Sequence, residues 1–489
     1  MRRTTAIFLC LCAAAIAAPA AVCAVDVEFS GYALTDLRFT VQGEPSQFNY
    51  AEQWLNLAVK PIITDQVFLY GSVNIVANTI AQKSVSVTDQ ENRTITDPLW
   101  FELDQAYLSL ASLGWKNLDV RIGKQRIAWG TADRFNPTDH LNPIDAHDPI
   151  DFGKKVPTVG ILATAYAGPI TLTGAVMPLY EPAVLPVTDL HGIFQAQFHQ
   201  MAHTIKINTG SASLNQVVQA MMAPALASAQ LGNLQVDSTL PPLTLSNMQA
   251  GFKLGGRAGV FDLSACYEYV LDDFGVPKDV LIGVPDPLNI HSLNVNVSQT
   301  FPRLQLIGGD MAASLPFLWD LGVWAEAAYF IPQRIQTTYE VDTGQFNEFL
   351  IQKGGHYGPA GGVVVGHDRP TDKPYFKITA GFDYTFPGAW YINAQYVRGL
   401  FDENTNSLVA NYVFAGVDKP FFYETLKLRL FGGYCFDDHS WMLLPQATYV
   451  PYKNVELIVG SLLIFGNIGT KFGAFGNDIM FTKAKVSFK

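Results

Sequence analysis

Charge of both signs gathers between Gly123 and Pro157. The stretch Gly123-Lys124-Gln125-Arg126-Ile127-Ala128-Trp129-Gly130 leads into Asn136-Pro137 and Asn142-Pro143-Ile144-Asp145, and carries Arg126, Asp133, Arg134, Asp139, His140, Asp145 and Asp148. Pro137, Pro143, Pro149 and Pro157 bar regular helix and strand, while Asn and Asp favour turns. Closely spaced carboxylates and guanidinium groups on such an irregular backbone can set the field across a passage, as charged rings do in channels. The same residues would also serve as a solvated surface loop. His140, His147 and the nearby Asp residues lack the tight ligand spacing of a metal centre. His199 and His203 share one face at i,i+4 but have no third ligand. No nucleophile elbow, phosphate loop, HExxH or dinucleotide fingerprint is present, so neither an enzyme nor a cofactor is expected.

The elements that must hold this stretch follow a period of two. In Phe376-Lys377-Ile378-Thr379-Ala380-Gly381-Phe382-Asp383-Tyr384-Thr385-Phe386 the even positions are apolar or aromatic and the odd ones polar, charged or Gly. A strand places these sets on opposite faces. Similar alternation recurs at 118–125, 390–396, 425–430, 55–60 and 483–488. By parity the polar face carries Arg38, Arg121, Glu326, Lys377, Asp383, Lys427, Arg429, Lys483 and Lys485, together with Glu28, Asp36 and Asp119. This wall is mixed and slightly basic, although the chain's net charge is −11.

Arg2 and Arg3, an apolar run from Ala6 to Ala18, and Val22-Cys23-Ala24 predict a secretory leader over 1–24, followed by one domain over 25–489. Bulky Val22 argues against a lipoprotein cleavage before Cys23. Losing Arg2 and Arg3 takes the net charge from −11 to −13, which argues against nucleic acid as a partner. Cys10, Cys12 and Cys23 leave with the leader. Cys266 and Cys435 remain, on strands placed well apart, so no disulfide is expected. Beyond the leader no run of about 18 apolar residues could form a spanning helix. A secreted chain that is 49% hydrophobic and 15% charged then suits a closed antiparallel barrel, the sheet that crosses a bilayer with every backbone group paired.

Counting segments gives eighteen strands, with sixteen also compatible. Tight turns near 61–65, 113–117, 167–169, 255–257, 316–320, 387–389, 417–420 and 450–453 alternate with longer connections. That asymmetry is expected of periplasmic turns and extracellular loops. The count reads 291–314 as one long strand bulged at Pro302, which cannot donate to a ladder. The insert 181–243 lacks alternation over 190–206 and 211–231, predicting a small helical element as lid or plug. Phe488, one residue from the end, approximates the terminal aromatic of outer-membrane barrels.

The segment 123–157 resembles proteobacterial porin-like outer-membrane barrel families that carry a GxQ…WG…NP.D stretch after the fifth strand. It is more distantly similar to alginate-export barrels, which have eighteen strands. Gly123 and Gln125 supply the first residues of that pattern. The resemblance implies an all-β transmembrane barrel in the bacterial outer membrane. Its surroundings would be outer-membrane lipid and lipopolysaccharide, and assembly machinery would insert it. The expected function is a porin or substrate channel for small solutes, anionic ones included, with 128–157 as constriction loop. A hydrophobic-compound uptake barrel and a non-transport scaffold or receptor are the alternatives.

Overall fold

The structure is a computed structural model. It describes residues 25–41, 48–78, 99–114, 116–148, 150–184, 230–283, 292–342, 363–369, 371, 373–467 and 469–489. Eighteen strands form one sheet. The first nine are β1 (Asp26–Thr40), β2 (Phe48–Thr64), β3 (Val67–Asn78), β4 (Leu99–Leu110), β5 (Leu118–Gln125), β6 (Thr158–Ala167), β7 (Ile170–Met177), β8 (Gln249–Ala258) and β9 (Phe261–Leu271). The rest are β10 (Arg303–Leu315), β11 (Leu321–Pro332), β12 (Tyr375–Phe386), β13 (Trp390–Arg398), β14 (Asn411–Phe421), β15 (Leu426–Cys435), β16 (Trp441–Tyr452), β17 (Val455–Phe465) and β18 (Ile479–Phe488). Each pairs antiparallel with its neighbour in sequence. β1 also pairs with β18, from Gly31 opposite Phe488 to Thr40 opposite Ile479, which closes the ring. Closure leaves no free sheet edge.

Parity divides the barrel into two surfaces. On β12, Phe376, Phe382 and Phe386 are exposed outward while Lys377 and Thr379 are buried inside. Leu428, Leu430, Leu457, Val459, Val486 and Phe488 continue the outer apolar band. A strand of about 11 residues tilted near 40° spans roughly 25–28 Å, the height of a lipid-facing belt. Exposed aromatics rim both ends. Trp319, Trp390, Phe422, Tyr423 and Tyr452 stand near the tight turns, and Phe101, Tyr269, Phe436 and Trp441 near the long loops. The protein is an all-β transmembrane antiparallel barrel.

The connections at the long-loop end carry structure that alternation did not reveal. Gln230–Thr239, Ser292–Thr300, Val276–Gly283, Thr337–Asp342 and Val363–Asp368 form, in that order, a second five-stranded sheet. Two of its pairings are parallel. Val236, Val276, Val280, Ile282, Val295 and Val297 are among its buried residues.

Several expectations need correction. Residues 291–314 are not one bulged strand: the ladder breaks at Phe301-Pro302, and only Arg303–Leu315 belongs to the barrel. Pro302 has no N–H, and its carbonyl accepts from Asp272 N at 2.9 Å. The turn expected at 255–257 falls at 259–260, around the left-handed Gly259, and that expected at 417–420 falls at 422–425. The strands run on because their ladders can still pair. The helix expected over 211–231 ends in strand at 230–231, while 190–206 and 211–229 lie outside the described residues. So do the leader at 1–24 and the His199/His203 pair. Cys266 and Cys435 are free and buried.

Candidate pore constriction

The segment 126–157 leaves the long-loop end of β5 and returns to β6, and its residues are bound to inward-facing side chains around the ring. Its two ends are stitched together by Asn142. The Asn142 Oδ1 accepts from Ile127 N at 2.6 Å, and its Nδ2 donates to Gln125 O (3.1 Å), Val156 O (2.9 Å) and Thr158 Oγ1 (2.8 Å). A short ladder pairs Ile144–Asp145 with Lys154–Lys155. Gly123 and Gly130 both have positive φ. A Cβ on Gly123 would overlap Ala106 O, and one on Gly130 would collide with Glu326. The GxQ, WG and NP elements are therefore the parts that let the chain turn inward and close on itself.

Polar contacts latch the segment to the wall. At β1 and β18, Asp148 Oδ2 lies 2.7 Å from Arg38 and 3.0 Å from Lys483, and Asp36 shares both cations at 2.6 and 3.0 Å. Burial alone would raise the Asp148 carboxyl, but Arg38 and Lys483 hold it well below the usual carboxylate range. Beside it, His147 Nε2 lies 3.2 Å from Glu52, which also accepts from Tyr50 Oη (2.6 Å) and Trp54 Nε1 (2.8 Å). Arg126 is paired with Asp104 on β4 at 2.5 Å and donates to Lys155 O at 2.6 Å.

The far wall is reached by uncharged donors. Glu326 on β11 accepts from Thr138 Oγ1 (2.6 Å), Asn136 Nδ2 (3.2 Å) and Ala132 N (3.3 Å). Glu268 on β9 accepts from His140 N at 3.1 Å. On β12 and β13, Thr379 Oγ1 donates to Phe135 O at 2.8 Å and Gln395 Nε2 to Asp133 O at 2.9 Å. Burial, followed by Lys155 and Lys377, pushes the His140 imidazole well down. Burial also raises the Asp139 carboxyl. Among the described residues no group of three His, Cys, Asp or Glu side chains could hold a metal ion.

Apolar packing completes the docking. Ile127, Trp129 and Leu141 pack with Met177, Val270, Leu304, Leu306, Phe330 and Tyr375. Phe135 stacks on Phe414 with ring centroids 4.5 Å apart, in a cluster with Tyr412, Phe472 and Phe481. Each such side chain removed from water contributes about 1.5–3 kcal/mol. The inward surface near the long-loop end thus carries apolar clusters beside its buried polar anchors, where parity alone predicted a polar lumen.

The structure sorts the expected residues into two groups. Arg38, Glu326 and Lys377 face inward but are buried beneath the segment, and Lys483 joins the Asp148 latch. Arg121, Lys427 and Arg429 stand exposed, and Asp383 and Lys485 are half-buried. Arg429 pairs with Asp418 at 2.6 Å, Lys427 with Glu424 at 3.6 Å, and Asp383 accepts from Tyr391 Oη at 3.1 Å. On the segment itself, Arg126 is taken up in anchoring to Asp104, Asp139 lies 3.9 Å from Lys155 within the segment, and Asp145 accepts from His147 N at 3.2 Å. Asp133 and Arg134 remain on its exposed face. Arg134, left-handed at φ 68°, lies 3.5 Å from Asp151. The anchors missed by sequence reasoning are Glu52, Asp104 and Glu268. A lone carboxylate on a strand's inward parity was the available signal.

No family model matches the chain, and no curated protein does. Solved structures are similar in outline. Acinetobacter baumannii OccAB3 shares 8% identity at a TM-score of 0.48, over 96% of this chain and 100% of that one. The outer membrane protein opdK of Pseudomonas aeruginosa shares 8% at 0.46, over 95% and 98%. Salmonella typhi OmpF, solved with daunomycin, shares 11% at 0.37, over 94% and 97%.

Proposed function

We propose that this chain is an outer-membrane channel for small polar solutes, its passage narrowed by the inward-folded segment 126–157. The observation that carries this reading is the two-sided anchoring of that segment, to β1 and β18 through Asp148 and to β11 through Glu326. A segment spanning a closed ring leaves passage only along the uncovered wall. That wall carries Arg121, Lys427, Arg429 and Lys485 among Asp119, Asp383, Asp418 and Glu456, a near-balanced lining in which Arg121, outside any ion pair among the described residues, favours anions slightly. The apolar inward residues near the long-loop end are occupied in packing the segment, which favours polar solutes over a hydrocarbon route. The GxQ…WG…NP.D resemblance agrees with such a barrel and leaves the solute open. Purified protein in planar bilayers should give discrete conductance steps with weak anion preference. Silence, even after removal of 181–229, would overturn the channel reading.

A further inference from the structure

Below the segment, at the tight-turn end of the lumen, three aromatic rings share one patch of wall. Phe68 and Tyr70 on β3 and Tyr107 on β4 face inward, since their neighbour Leu69 is exposed on the outer face and Tyr70 pairs with Tyr107. Tyr70 and Tyr107 stack at 5.3 Å between centroids, and Phe68 meets Tyr107 edge-on at 6.3 Å. A cation stands at each side of this trio. Lys60 Nζ lies 5.2 Å from the Phe68 centroid and Arg121 Cζ 5.7 Å from that of Tyr107. Lys60 is shared with Glu28 at 3.0 Å. Arg121 has no carboxylate within ion-pair distance, and neither tyrosine hydroxyl has a hydrogen-bond partner, among the described residues.

Rings that only fill space are covered in this protein. Tyr412, Phe414 and Phe481 are 0–2% exposed under the inward segment. Phe68, Tyr70 and Tyr107 are instead half-buried, and Arg121 is exposed beside them. Ring faces attract flat π-systems, and an unpaired guanidinium offers a fork that fits a carboxylate. A cationic guest would be repelled by Lys60 and Arg121.

We propose that Phe68, Tyr70, Tyr107, Lys60 and Arg121 form a docking platform inside the lumen for a planar ring bearing a carboxylate. The guest ring lies face-on against the lumen-facing edges of Tyr70 and Tyr107, whose faces meet each other and Arg121, and its carboxylate reaches Arg121, with Lys60 adding field. The proposal rests on the channel reading, because the solute must reach the lumen. Benzoate, benzamide and cyclohexanecarboxylate, titrated into the purified barrel in detergent with saturation-transfer NMR as readout, test it. Benzoate should bind about tenfold tighter than benzamide, which lacks the charge, and than cyclohexanecarboxylate, which lacks the flat ring. Arg121→Gln and Tyr107→Leu should each weaken benzoate about tenfold, and Lys453→Gln, in a tight turn, should leave it unchanged. Circular dichroism of each variant checks that the barrel is intact. Equal binding of benzoate and benzamide, or benzoate binding unaltered by Arg121→Gln, would overturn the platform. Conductance without benzoate binding overturns the platform and leaves the channel standing. Benzoate binding without conductance does the reverse.

Discussion

Arg38 and Arg429 both point into the barrel, yet they meet different surroundings. Arg38, near the long-loop end of β1, has a side chain 2% exposed and is locked between Asp36 and Asp148. Arg429, near the tight-turn end of β15, is 47% exposed and shares one carboxylate, Asp418. The same contrast holds for rings, with Phe414 and Phe481 buried at one end and Tyr70 and Tyr107 uncovered at the other. The lumen thus has a filled half, where inward residues hold the segment 126–157, and an open half, where they face water. Strand parity decides direction, and the segment decides accessibility.

The largest effect should come from removing the difference between the halves. Replacing residues 129–153 by a short Gly-Ser bridge is expected to raise single-channel conductance several-fold. Unchanged conductance would mean that the filled half does not limit passage. Next comes Arg38→Met, which leaves the buried Asp36 and Asp148 to share Lys483 alone. Breaking a buried ion pair from one side costs about 3–5 kcal/mol, to be read as a lower denaturation midpoint in detergent. Asn142→Ala removes the stitch between the segment's ends and leaves Ile127 N without its acceptor. A loss of about 2–3 kcal/mol is expected, with noisier open-channel current as the segment loosens. Arg429→Gln is the contrasting case. An exposed pair is worth about 0–1 kcal/mol, so stability should hardly move, while the reversal potential in a salt gradient shifts slightly toward cations. A destabilisation as large as that of Arg38→Met would erase the distinction between the halves.

Much of the barrel was legible because its outer face is continuously apolar. A side-chain period of two against that face fixes which residues turn inward, and Lys377, Arg429 and Lys483 follow from it directly. The second sheet was not legible. Val276–Gly283 carries Pro277, and Thr337–Asp342 is short and polar, so neither alternates strongly enough to stand out from loop. The apolar lining of the filled half escaped the sequence reading for a different reason. In Tyr412-Val413-Phe414-Ala415 both faces are apolar, and parity cannot distinguish a ring facing lipid from one facing the segment. At the site, the chain's turn-forming residues were visible as a motif. Of their partners, Asp104 lies on the adjoining strand, while Glu52 and Glu268 lie on distant strands that only the closed ring brings to the segment.

The central claim is that 126–157 lies inside the ring, and Asp133 against β13 tests it most directly. Asn393 Nδ2 donates to Asp133 Oδ2 at 3.1 Å. An Asp133→Cys, Asn393→Cys pair, treated in intact outer membranes with a short bifunctional thiol reagent, should give an intramolecular cross-link identified by mass spectrometry. Separate labelling of both thiols with no cross-link would contradict the account.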